Sequence, residues 1–314
     1  MNIFIAGGTG AIGRLLVPLL VDAGHKVTAL TRSPERTSQL AQMGAVPEVG
    51  DVYDAARLAR LVAESEAEIV IHQLTAFGTT TGDPYAETIR VRIEGTRSLI
   101  AAARAARVRR FIAQSISFMC SPSGSGLTDE QTPLYLDAPP AVRALAEAIA
   151  SLEQQTLSAS GMSGTVLRYG WFYGPGTSWD PDGFIPRAIR AGTYPIVGAG
   201  AGTYSFINLR DAAAATIRVL AHDAAGIYNI VDDSPAQLSE WLPFAARLLR
   251  APAPGHEDVA SARQRVGDMR VYYMNEQRGA SNAKAKRTFN WQPAFPSWRA
   301  GFEALYLNRP GKSP

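Results

Sequence analysis

The first thirteen residues constrain the fold of this chain more than any other stretch. An apolar strand, residues 3–6, runs into Gly8-x-Gly10-x-x-Gly13, and an apolar helical stretch, residues 15–20, follows at once. Strand, glycine turn and helix in that order form a dinucleotide-binding fingerprint, and the order carries more information than the glycines alone. One glycine permits the tight turn, one lets backbone N–H groups approach a pyrophosphate, and one lets the helix pack close to the strand. The first amides of the helix then face the phosphates. Gly7, Gly8, Gly10, Ala11, Ile12 and Gly13 are the residues expected to hold the nucleotide.

The next strand, residues 27–31, ends at Arg32, nineteen positions after Gly13. Sites that prefer NAD place an acidic residue there for the ribose 2′-hydroxyl, whereas arginine suits a 2′-phosphate. Ser33 follows, and no carboxylate appears until Glu35. The expected cofactor is NADP rather than NAD.

Composition excludes several classes. With 46% hydrophobic and 19% charged residues, the 314-residue chain reads as an ordinary soluble globular protein. A net charge of +3 is small for this length, and the basic stretch from Arg104 to Arg110 ends a helix, where cations complement the dipole. Nucleic acid is not expected as a partner. The single cysteine, Cys120, forbids an intramolecular disulfide and suits a reducing cytoplasm; it reads as a small buried hydrophobe. No apolar run is long enough to cross a membrane, and the first residues read as a strand rather than a signal peptide. The four histidines have no metal-binding spacing, so no metal is expected.

Strand-like runs at residues 2–6, 27–31, 45–49, 68–72, 110–115 and 165–168 alternate with helical runs at 55–64, 85–106 and 141–158. That alternation predicts an α/β fold, a Rossmann-type doubly wound parallel sheet covered on both faces. Residues 1–170 form the dinucleotide-binding domain. Pro/Gly-rich breaks then introduce a smaller C-terminal substrate-covering domain, 171–314, with later segments returning to the first. Short elements are expected there at 194–197, 204–207, 211–222 and 227–231, with loop at 251–254 and a frayed end at 311–314.

Later motifs narrow the reading. Gly50-Asp51-Val52 follows the third strand, Ile71-His72-Gln73-Leu74-Thr75-Ala76 the fourth, and Leu167-Arg168-Tyr169-Gly170-Trp171-Phe172-Tyr173-Gly174-Pro175-Gly176 the sixth. Tyr204-Ser205-Phe206-Ile207-Asn208-Leu209-Arg210-Asp211, Gly226-Ile227-Tyr228-Asn229-Ile230 and Asn290-Trp291-Gln292-Pro293 complete an ordered set. Together these resemble the short-chain dehydrogenase/reductase superfamily, in its extended epimerase/dehydratase-like branch, over nearly the whole chain. The resemblance implies that Asp51 and Val52 contact the adenine, that Leu74 and Thr75 line the cofactor, and that the segment after the sixth strand approaches the nicotinamide.

One departure is decisive for chemistry. The branch carries Tyr-x-x-x-Lys opening the long helix after the fifth strand and a Ser or Thr at that strand's end; the tyrosine exchanges a proton at the carbonyl and the lysine lowers its pKa. Here Ile116 takes the serine position, Leu145 the tyrosine and Ile149 the lysine, and no Tyr-x-x-x-Lys occurs anywhere.

Replacement donors are few. Tyr169 is the first candidate and Ser115 the second, with a packed aromatic and a strand-end hydroxyl as the plain alternatives. His72 and His256 read as a core and a loop histidine. Asp232-Asp233 reads as a turn with Ser234-Pro235. The aromatic residues Trp171, Phe172, Trp179, Phe184, Tyr204 and Phe206 in the cover point to an aromatic or apolar substrate, or to core packing. Three functions stay open: an atypical NADP-dependent oxidoreductase or epimerase/dehydratase-like enzyme on a small organic substrate, an NADP-binding sensor or scaffold, and a non-redox lyase or cyclase. A homodimer is the assembly expected.

Overall fold

The computed structural model describes residues 1–76 and 83–307; the 311–314 tail lies outside them. The chain opens with β1 (Asn2–Ala6), α1 (Gly13–Asp22), β2 (Lys26–Thr31), α2 (Thr37–Gln42), β3 (Val46–Val49), α3 (Ala55–Glu64) and β4 (Ile69–His72). It continues through α4 (Pro84–Arg90), α5 (Thr96–Ala105), β5 (Arg110–Ile116), α6 (Pro140–Leu157) and β6 (Ser163–Tyr169). Seven strands form one parallel sheet in the order Gly226–Ile230, β6, β5, β4, β1, β2, β3. The chain direction across the sheet reverses between β1 and β4, the point where ligands bind beyond the carboxyl ends of such strands.

Alternation along β1 shows how the two faces are filled. Ile3 and Ile5 join a core with Leu16, Val17 and Leu20 of α1 and with Ala212 and Val219 of the helix Leu209–Leu220. Phe4 and Ala6 point to the opposite face and pack with Leu58, Val62, Leu99 and Leu152. Two helix starts are written in the sequence: Asp54 accepts from the Arg57 N–H at 3.0 Å, and Asp83, before Pro84, accepts from the Tyr85 N–H at 2.9 Å.

The long run at 85–106 is not one regular helix. A π-helical turn, Val91–Gly95, separates α4 from α5 and buries Val91, Arg92 and Gly95. A second π-helical turn, Tyr272–Glu276, follows the helix Val259–Val271. Residues 226–230 extend the large sheet beside β6, a later segment that returns to it. The C-terminal unit has its own core, in which Trp179, Tyr204, Phe206, Trp241 and Trp298 pack together.

Candidate active site

Backbone sterics shape the cofactor end. Gly7 has φ +102°, and a Cβ there would stand 2.7 Å from the Gln73 carbonyl carbon just past β4. A Cβ on Gly13 would stand 2.6 Å from the Gly8 carbonyl. Only glycine fits either place, so the turn lies flat against the sheet edge and α1 starts directly behind it. No side chain caps α1 and no carboxylate sits in its first turn; the Arg14 and Leu15 amides already donate to the Gly10 and Ile12 carbonyls at 3.0 Å, so an anion would be met by the turn amides just before them. Gly10 is exposed, with Thr9 and Ala11 half-buried around it. This cradle, which side chains would fill, fits a dinucleotide pyrophosphate. Leu74, half-buried, and Thr75, exposed, continue along the same edge.

The outer wall of that groove is basic. Arg32 is exposed immediately after β2. Arg36, which the sequence did not single out, donates from Nη1 to the Thr9 hydroxyl at 3.3 Å, so a second guanidinium reaches the glycine turn. Beside them the Gly50 N–H donates to the Thr31 carbonyl at 3.0 Å, fixing the turn that carries Asp51 and Val52. Asp51 is half-buried and accepts from the Tyr53 N–H at 3.0 Å; Val52 is buried, and Arg90 covers the Tyr53 ring at 4.0 Å.

The catalytic end has the opposite character. Leu145 and Ile149 are buried in one apolar cluster with Val142, Ala146, Tyr272 and Tyr273, and Ile116, Phe118 and Trp171 pack against it. Phe118 and Trp171 stack at 4.1 Å between centroids, and Tyr273 meets Trp171 edge-on at 4.9 Å. The Tyr272 hydroxyl donates to the carbonyls of Phe118 at 3.1 Å and Cys120 at 2.8 Å, tying the second π-helical turn to the segment after β5. Phe118 and Tyr273 escaped the sequence reading because no spacing links positions so far apart.

The proposed proton donors are occupied elsewhere. Tyr169 is fully buried in the core shared with α1. Thr216 donates to the Ala212 carbonyl at 2.8 Å, so at the 2.6 Å Tyr169–Thr216 contact the phenol is the donor. Burial pushes that phenol up to about 12, despite its hydroxyl partners. Ser115 follows the strand alternation away from the site and donates to Glu153 Oε1 at 2.8 Å. Glu153 is in turn held by Arg168, Nε to Oε1 at 2.7 Å and Nη2 to Oε2 at 2.6 Å. Both hydroxyls therefore serve buried structural networks.

The other candidates take their plain readings. Burial pushes the His72 imidazole down to about 3, with the Arg92 charge adding to the effect. Its Nδ1 accepts from the Leu74 N–H at 3.2 Å, which assigns the ring proton to Nε2, 3.0 Å from the Thr96 hydroxyl. His256 is exposed in a short strand beside Ile196–Val197. Asp232 accepts from the Ser234 N–H at 3.1 Å, and Asp233 pairs with Lys286. Cys120 is buried, and burial raises its thiol. Of the six aromatic residues read as substrate cover or core packing, Trp171 joins this wall, with Tyr204 against it at 5.2 Å. Trp179, Tyr204 and Phe206 fill the C-terminal core, Phe172 packs against Tyr169, and Phe184 is 52% exposed.

A glycine cradle at the switch point of a parallel sheet, facing an apolar wall, defines a nucleotide-dependent protein of the extended short-chain type. Residues 3–231 match the NAD dependent epimerase/dehydratase family, and the chain belongs to it. A 3-diazoavenalumate denitrifying reductase from a Streptomyces species is 40% identical over 305 residues, covering 96% of this chain and 99% of the relative. A 4-hydroxy-2-methyl-3-oxo-4-farnesyl-3,4-dihydroquinoline-1-oxide ketoreductase from Stigmatella aurantiaca is 28% identical, covering 77% and 71%. Among solved structures, UDP-glucose 4-epimerase of Thermotoga maritima superposes with TM-score 0.79 at 20% identity over 98% of each chain. A human epimerase-family protein with NADPH superposes at 0.75 and 19% identity, covering 98% and 100%. Family, fold and NAD(P) dependence are thereby set. No described helix is long and apolar enough to cross a membrane.

Proposed function

We propose that this chain is an NADPH-dependent reductase for a small aromatic substrate whose acceptor carbon needs no proton from the protein, with a diazo group as the acceptor. The observation that carries this is the apolar replacement of the proton relay beside an intact glycine cradle. Reduction of a carbonyl leaves an alkoxide, which a positioned acid must protonate. Replacement of a diazo nitrogen pair by hydride forms one C–H bond, breaks one C–N bond and releases dinitrogen, so the reacting carbon asks for no acid. The denitrifying reductase named above supports the same reading by its name and its 40% identity.

A dihydronicotinamide, when bound, supplies the hydride. The chain's own task is to hold and shield. Gly7, Gly8, Gly10, Ala11, Ile12 and Gly13 cradle the pyrophosphate, while Arg32 and Arg36 meet the 2′-phosphate. Asp51 and Val52 face the adenine, and Leu74 and Thr75 flank the nicotinamide half. Phe118 and Trp171, stacked on one another with Tyr273 edge-on, would border an aromatic ring, and Ile116, Leu145 and Ile149 would keep water from it. The protein is expected in the reducing cytoplasm.

The test is isotopic. With an ortho-diazophenol and NADPH deuterated at C4 in ordinary water, the product should carry deuterium at the carbon that held nitrogen. Deuterium appearing there only from heavy water would rule the reading out.

A further inference from the structure

Arg92 is a buried cation close to the apolar wall. It sits on the π-helical turn Val91–Gly95 and is 1% exposed. Its Nε and Nη1 atoms are buried and have no hydrogen-bond partner among the described residues. Every other charge near it is already engaged. Glu153 lies within electrostatic reach of Arg92, yet both its oxygens are held by Arg168, and one also accepts from Ser115. His72 is neutral and bonded to Thr96 and to the Leu74 amide.

Burying guanidinium donors without partners is costly, because the three N–H groups of Nε and Nη1 lose water without replacement among the described residues. Burial pushes its pKa down to about 10, with Glu153 and Tyr273 acting against that shift, so it remains a cation at neutral pH. A π-helical turn is also a rare interruption of a helix, found mostly where function requires it. Here it turns Arg92 inward, against His72 at the end of β4 and toward α6. On α6, Glu153 stands one helical turn beyond Ile149, the position from which the lysine is missing. Tyr273, which meets Trp171 and Phe118 edge-on, lies within electrostatic reach of Arg92.

We infer that Arg92 is the anion-binding residue of the substrate site, and that the substrate is an aromatic acid whose carboxylate or phenolate oxygen meets this guanidinium while its ring lies along Phe118, Trp171 and Tyr273. The inference rests on the proposed substrate site but not on turnover. The same cation stabilises an acidic oxygen whether or not the ring carries a reducible group. Ligand binding supplies the partner that the fold withholds, which explains how a buried cation can be kept at the expense of stability.

Binding of 4-hydroxycinnamate and its methyl ester to the NADP-loaded protein, followed by calorimetry, separates the possibilities. The acid should bind the native protein roughly 10- to 100-fold more tightly than the ester, the range of a charge-assisted hydrogen bond. Arg92→Met should remove that preference, leave NADP affinity unchanged and raise Tm; Arg92→Lys should retain part of the preference. Equal binding of acid and ester by the native protein would overturn the inference. So would an unchanged preference in Arg92→Met, or a loss of NADP affinity in that variant equal to the loss of acid binding. A protein that binds the acid through Arg92 yet oxidises no NADPH with an ortho-diazophenol would refute the reductase reading alone.

Discussion

At one end of the sheet edge, Gly7 and Gly13 sit where any Cβ would collide with backbone, and the Arg36 guanidinium donates to Thr9 in the glycine turn. At the other end, Leu145 and Ile149 fill with hydrocarbon the positions where a phenol and an ammonium belong. The first region is constrained by geometry that no other residue satisfies. The second carries hydrocarbon at the three relay positions while its packing stays complete. Near it, the Nε and Nη1 atoms of Arg92 are buried with no hydrogen-bond partner among the described residues. On the proposed function, the difference teaches that cofactor positioning and proton supply are separable parts of this fold, the first serving acceptors that do not need the second.

The largest expected effect comes from putting the relay back. Ile149 is fully buried, and a lysine there would meet the desolvation that shifts buried lysines by ~3–5 pKa units, or about 4–7 kcal/mol. Leu145→Tyr with Ile149→Lys should lower Tm by on the order of 10 °C or more and gain no carbonyl reduction. Unchanged melting with new ketoreductase activity would show that the two ends are not so distinct.

The cofactor end should respond more gently. Arg32→Ala should weaken NADPH binding about tenfold or more, the scale of one charge-assisted phosphate contact, and leave NADH nearly unaffected. Fluorescence titration of both nucleotides reads this directly, and equal losses for the two would remove Arg32 from the 2′-phosphate. Arg32 combined with Arg36→Ala should deepen the NADPH loss.

Tyr169→Phe should have the smallest effect. The variant removes a hydroxyl whose proton goes to Thr216, at a stability cost of about 1 kcal/mol, and turnover should not change. Lost turnover with intact NADPH affinity would return Tyr169 to the chemistry.

The glycine turn, the parallel sheet and the missing relay were legible because each depends on residues close in sequence or on the alternation of strand and helix. β1 and α3 keep the bounds read from the sequence. The apolar wall was not legible, since Phe118, Trp171 and Tyr273 meet only when the second π-helical turn packs against the segment after β5. The first π-helical turn is equally silent: residues 85–106 read as one helical run, and only the fold shows where it is interrupted. Tyr169 looked available because Thr216, its partner, lies 47 positions away.

The separability of the two ends is tested most directly by following NADPH absorbance with a matched pair of substrates, an ortho-diazophenol and the corresponding hydroxybenzaldehyde. The account predicts oxidation of one NADPH per dinitrogen released with the first and no oxidation with the second. Reduction of the aldehyde at a comparable rate would mean that the protein supplies a proton after all, and would contradict it.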